Sequence, residues 1–156
     1  MVTDWSQIVL SSVKDAIKAG SFSGYQGISF DVEEGDSGLQ QAFQETFEIA
    51  QSAGLKVSVT VSHSSPYGVA DGPALMKSFF SSASIDYLSP QLYTSGLETE
   101  NAYTQSAGVP WSDYAGAKSL FLPSIVDVSM YSSAAQYFQS LGIATAGFAQ
   151  WKQVKP

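Results

Sequence analysis

Helix-like and strand-like segments alternate along this chain, and each of three central strands carries small polar residues on one face only. Few folds satisfy both conditions. Apolar residues recur at helical spacing through Trp5, Ile8, Val9, Val13, Ala16 and Ile17, and Ala19-Gly20 supplies a stop. Residues 25–32 alternate as a strand. Leu39 to Ala53 is amphipathic through Phe43, Phe47, Ile49 and Ala50, with Gly54 in a terminator position. A β-branched strand follows over 56–62, a helix over 73–82 and a strand over 86–93. The stretch 98–117 is expected to hold one or two short helices. A strand over 120–126, a helix over 132–141 and a strand over 143–151 complete the pattern. Strands spaced about 25–35 residues apart fit βαβ units, whose right-handed crossovers build a parallel sheet covered by helices. With no linker or low-complexity tract, residues 1–156 read as a single βα domain.

The strand faces separate a barrel from an open sheet. Strands of a doubly wound open sheet are apolar on both faces. Here Ser58, Thr60 and Ser62 alternate with Val57, Val59 and Val61. Gly27, Ser29, Asp31 and Glu33 oppose Ile28, Phe30 and Val32, and Ser89, Gln91 and Tyr93 oppose Leu88, Pro90 and Leu92. One face serves helices and the other is a polar lining, which suits an α/β barrel of the TIM type opening into a site. A flavodoxin-like nucleotide binder is disfavoured, because no Gly-rich phosphate loop follows the first strand.

Composition narrows the partners. The net charge is −7 and all seven basic residues are lysines, with no basic patch, so nucleic acid and anionic membranes are poor partners. No apolar run approaches the roughly 20 residues of a membrane span. The absence of cysteine removes disulfides and thiolate chemistry. The opening MVTDWSQIVL lacks the basic flank and long apolar core of a secretion signal. Low charge, 13 % aromatics and richness in Ser, Ala and Gly nevertheless fit a secreted, extracellular glycan-handling protein.

The chemistry concentrates in one place. Asp31, Glu33, Glu34 and Asp36 put four of the 14 acids within six positions, at the end of a strand that starts apolar. Ser29, Asp31 and Glu33 share a face, about 6–7 Å between successive members. The C-terminal ends of parallel strands are where barrel sites lie. Two neighbouring carboxylates repel, and one is pushed toward its protonated form, as a general acid requires. Against this stands the plainer reading that strand-end acids are solvated or cap the next helix, which applies above all to Glu34 and Asp36. The spacing fits no calcium loop, and neither metal nor cofactor is implied. His63 reads as a loop or wall residue, and Trp5 and Trp111 as packing residues. Tyr67, between Pro66 and Gly68, either lines a groove or closes its loop. Tyr93 and Trp151 stand at strand ends, as site groups or as plugs of a barrel mouth.

These residues carry a resemblance. The stretch QGISFDVE resembles the DGxDxDxE signature of glycoside hydrolase family 18, and its context is similar to the plant class III, hevamine-like chitinases. GLKVSVTVSHSSPY is similar to their fifth strand and loop, SPQLYTS to the sixth, LFLPS to the seventh and AGFAQWKQ to the eighth. The resemblance implies substrate-assisted, retaining hydrolysis of β-1,4-linked N-acetylglucosamine polymers. Glu33 would be the general acid, and Asp31 would orient the 2-acetamido group that acts as internal nucleophile. Tyr93 would hydrogen-bond that acetamide with Gln91 beside it, Trp151 would floor the subsite, and Ser29 and Tyr67 would contribute to substrate binding. Gln26 and Ser29 replace the first two acids of the signature. With Ser29 there, Asp31 loses a like-charge neighbour and is expected to titrate nearer its ordinary value.

The matched strands are the fourth to eighth of an eight-stranded barrel, so the expected fold is a partial barrel of about five strands. Its two parallel edges would lack partners. A new closure, a homodimer, or the N-terminal half of a longer barrel would cover them. The substitution at Ser29 and the absent strands keep a second function open: a non-catalytic chitinase-like glycan-binding protein, lectin or inhibitor. A structural module with a vestigial site is the third.

Overall fold

The computed structural model describes residues 5–153. In chain order the elements are α1 (Trp5–Lys18), β1 (Gly27–Val32), β2 (Glu34–Gly35), α2 (Gln40–Ser52), β3 (Lys56–Ser62) and β4 (Gly68–Val69). Then come α3 (Gly72–Ser81), β5 (Tyr87–Gln91), β6 (Leu120–Phe121), β7 (Ser124–Ile125), α4 (Tyr131–Ser140) and β8 (Ala149–Gln150). Short 3-10 helices occupy Trp111–Gly116 and Val128–Met130. All pairings in the main sheet are parallel, in the order β1-β3-β5-β7-β8, with β6 also on β5. The protein is therefore α/β, and its curled parallel sheet is a half-barrel of five strand positions with helices between them.

The alternation of side chains explains why the sheet has one dry side. Val57, Val59 and Val61 are fully buried against the helices, and Phe30, Val32, Leu88 and Leu92 join them. Phe47 of α2 is the hub, with ring centroids 5.1 Å from Phe30 and 5.7 Å from both Phe43 and Phe79. A second aromatic group seats α4 on the later strands: Phe138 lies 4.5 Å from Phe121 and 5.3 Å from Trp111. Trp111 is buried as a packing residue, and its Nε1 donates to the Tyr103 carbonyl at 2.9 Å. The side chain of Trp5 lies outside the described residues.

The stretch 98–117 holds one short helix, the 3-10 turn Trp111–Gly116, within the one or two expected there. Two local expectations need correction. The strand expected over 120–126 is split into β6 and β7, because Pro123 has no N–H to give the ladder. Leu122 N still donates to the Leu88 carbonyl at 2.9 Å, so both pieces occupy one strand position. The last strand shrinks to Ala149–Gln150 after Gly147, at φ +126°. Earlier in the segment Ala146 N donates to the Phe121 carbonyl at 2.8 Å, which keeps it beside the sheet. The helix stop at Gly54 stands, with φ +82°, a region in which a Cβ is costly. The β2–β4 ribbon was not foreseen; it carries the ends of β1 and β3 upward as a parallel pair.

Phe47→Ala should cost about 3–5 kcal/mol, since it removes a fully buried ring from the centre of the phenylalanine cluster. Urea unfolding should show a lower midpoint at unchanged slope. Leu97→Ala, at a residue 85 % exposed, should cost less than about 0.5 kcal/mol.

Candidate functional site

Parallel registry assembles the site. Asp31 pairs with Thr60 and Thr60 with Ser89, while Ser62 pairs with Gln91 and Gln91 with Ser124. The inward faces of β1, β3, β5 and β7 therefore form polar rows near the C-terminal end of the sheet. There Ser29, Asp31, Thr60, Gln91, Tyr93, Ser124, Gln150 and Trp151 line an open concavity of about 190 Å³.

Gln91 is the centre of the polar contacts. Its Nε2 donates to Glu33 Oε1 at 2.9 Å and, more weakly, to Asp31 Oδ1 at 3.4 Å. One amide thus holds both carboxylates, and Gln91 is itself buried. Glu33, half-buried just beyond β1, does not line the concavity and is tied to it only by its bond from Gln91, whereas Asp31 and Ser29 are exposed on its wall. Partial burial, and next the Glu33 charge, hold the Asp31 carboxyl above the usual aspartate range. Against the expectation that Asp31 titrates nearer its ordinary value without an acid at position 29, its own burial first and Glu33 second raise it.

The aromatic wall divides into two roles. Tyr93 is buried, with its hydroxyl 3.4 Å from Ser124 Oγ, and burial raises that hydroxyl's pKa. Trp151 is 58 % exposed and so does not plug the mouth. The two rings approach to 5.8 Å between centroids at 37°. Tyr67 is directed elsewhere: it is exposed, outside the concavity, and its hydroxyl donates to Glu34 Oε1. With Tyr67 N on Ser62 Oγ at 3.0 Å and Gly68 N on the Glu33 carbonyl at 2.8 Å, this contact closes the loop over the end of β1. Glu34 and Asp36 are exposed, and neither caps α2. Asp71 instead accepts from Gly38 N at 2.9 Å and Gln40 Nε2 at 2.8 Å beside that helix start.

Thr60, Ser124 and Gln150 also line the concavity. Period-two alternation on β3 marked Thr60 as inward-facing, whereas Ser124 and Gln150 lie on short strands whose register only the fold reveals. His63 is half-buried at φ +53°, the only positive φ outside glycine among the described residues. Its Nε2 lies 3.4 Å from Thr94 Oγ1. Among the described residues no group of three or more His, Asp or Glu side chains is placed to hold a metal ion. A larger hollow of about 320 Å³ beside α1 and α2 is walled by Val9, Leu39, Ala42 and Phe43. Its one carboxylate, Glu34, is the acceptor for Tyr67, so the convergent polar groups belong to the smaller concavity.

Searches against family models, curated proteins and solved structures return no match.

Because Asp31 binds its proton more tightly folded than unfolded, its contribution to stability is complete below the unfolded pKa and is lost as pH rises through the folded one. Asp31→Asn should therefore be the more stable form at neutral pH. The difference should close below about pH 4. Thermal melts of both forms across pH 3–8 check this; a difference independent of pH would contradict it.

Proposed function

We propose that this protein is a glycoside hydrolase acting on β-1,4-linked N-acetylglucosamine chains. The observation that carries this reading is the Gln91 amide holding Glu33 and Asp31 together at the strand ends, beside Tyr93 and an exposed Trp151. The resemblance of QGISFDVE to the family 18 signature supplies the substrate class.

In this reading Glu33 donates a proton to the glycosidic oxygen. The substrate's own acetamide carbonyl oxygen then attacks the anomeric carbon, so the usual separation rule for paired carboxylates does not apply. Asp31 accepts the acetamide N–H and offsets the positive charge of the cyclic intermediate, and its raised proton affinity suits a group that gains proton density as that bond tightens. Tyr93, already aimed at the inner face, hydrogen-bonds the acetamide oxygen. The apolar face of the sugar packs on Trp151. Water then opens the intermediate, with Glu33 taking back a proton.

One feature favours a second reading, a glycan-binding protein without turnover. The concavity, about 190 Å³, is smaller than the roughly 300–1,000 Å³ typical of small-molecule sites, and it is open to solvent. Such a surface grips one or two sugar rings and excludes little water.

Release of reducing ends from soluble N-acetylglucosamine oligomers separates the two. Glu33→Gln should lower the rate by at least about 10²–10⁴-fold, the usual worth of a general acid, with binding retained. Wild-type binding without release of reducing ends would select the lectin-like reading, and equal rates in wild type and variant would remove Glu33 from the mechanism.

A further inference from the structure

Trp151 presents a problem of order. Its indole is 58 % exposed, and it follows a strand of only two residues. One backbone bond, from Trp151 N to the Ile125 carbonyl at 2.8 Å, fixes its main chain but not its ring. A ring so placed needs a support if it is to face the concavity in one orientation.

The support is the turn that follows Tyr93. Gly96 sits at φ +78°, and the indole lies directly on its backbone: a Cβ there would fall 2.6 Å from Trp151 Cδ1 and closer still to Nε1. The dihedral favours glycine, and any Cβ there would have to displace the indole. The turn has little burial of its own, since Leu97 at its tip is 85 % exposed. Its anchor is polar. Glu98 Oε1 accepts from Thr94 N at 2.8 Å and from Ser95 N at 2.7 Å. Charge-assisted bonds of this length are the strong kind. Those two amides hold the carboxyl down to about 2, so it is ionised at neutral pH. His63 Nε2, 3.4 Å from Thr94 Oγ1, braces the turn from the end of β3.

We propose that Glu98 and Gly96 are positioning residues for Trp151: Glu98 fixes the turn through its backbone amides, and Gly96 gives the indole its seat beside Tyr93. The role deepens the glycan-binding reading of the same concavity and rests on it for its biological meaning. The mechanical part stands without any ligand. Neither residue touches the carboxylate pair; both act through the orientation of one ring.

The test is to record the indole N–H resonance of Trp151, assigned by its loss in Trp151→Phe, in Glu98→Ala, Glu98→Gln and Gly96→Ala. Binding of an N-acetylglucosamine tetramer and the far-ultraviolet circular dichroism are measured on the same samples. Glu98→Ala and Gly96→Ala should each move or broaden that resonance with the dichroism unchanged, and should weaken tetramer binding about tenfold. Glu98→Gln, which keeps an acceptor oxygen in place, should restore most of the wild-type signal. A Trp151 resonance unmoved in both Glu98→Ala and Gly96→Ala would overturn the proposal. If the resonance moves as expected while the wild-type protein binds no tetramer, the positioning role holds and the glycan reading is the one that fails.

Discussion

The parallel, in-register pairing of β1, β3 and β5 is the constraint on which the rest depends. In such a ladder every second residue of each strand faces the helices, and adjacent strands agree on which residues those are. Val57, Val59 and Val61 can be wholly buried only because Phe30, Val32 and Leu88 lie on the same side. The opposite parity is thereby committed to Ser29, Asp31, Thr60, Ser89 and Gln91. A one-residue slip in β1 would drive Asp31 into the phenylalanine cluster and expel Phe30. Core burial thus holds the acids at the strand ends, and the site inherits its geometry from packing it does not touch.

That dependence explains what could be seen in advance. Alternation is a local property, so the inward rows on β1, β3 and β5 were legible, and with them Asp31, Glu33, Gln91 and Tyr93 as neighbours. Parts governed by tertiary contact were not legible. Nothing near Tyr67 indicates that its hydroxyl goes to Glu34 on β2 rather than to the concavity. The shortness of β8 follows from Gly147 and from bonds to the broken strand β6–β7, neither of which has a hydrophobic period. Glu98 carries no signal in the sequence; its importance comes from two backbone amides four and three residues earlier, and from what rests on that turn.

The half-barrel also changes how its polar lining behaves. In a closed barrel the inner face is shut off from solvent by strands on every side, and ionised groups there interact strongly. Here the sheet ends at β1, so Ser29 and Asp31 stand exposed on the last strand of the open edge while Ser89 and Gln91, deeper in the curl, are buried. Solvent screening therefore falls off across the site from β1 toward β5. Gln91 spans that gradient, with its amide in the protected part and its acceptors on the wetter strand. A neutral donor is suited to this place. A lysine there would add a positive charge and draw Asp31 toward its ionised form, whereas a neutral amide orders the carboxylates without adding a charge.

The serine at position 29 can be understood on the same terms. It leaves the inward face of β1 with Asp31 and, just beyond the strand, Glu33 as its neighbouring carboxylates. Spacing along the strand is not what matters most. Asp31 is affected first by its own partial burial and then by Glu33, two residues on, toward which the Gln91 bridge also draws it. Ser29 lies on the other side of Asp31 along the strand and, like it, is exposed. With a serine two residues before it, Asp31 has Glu33 as the carboxylate held beside it by Gln91, so a proton reaches or leaves that carboxyl through solvent or from the Glu33 side.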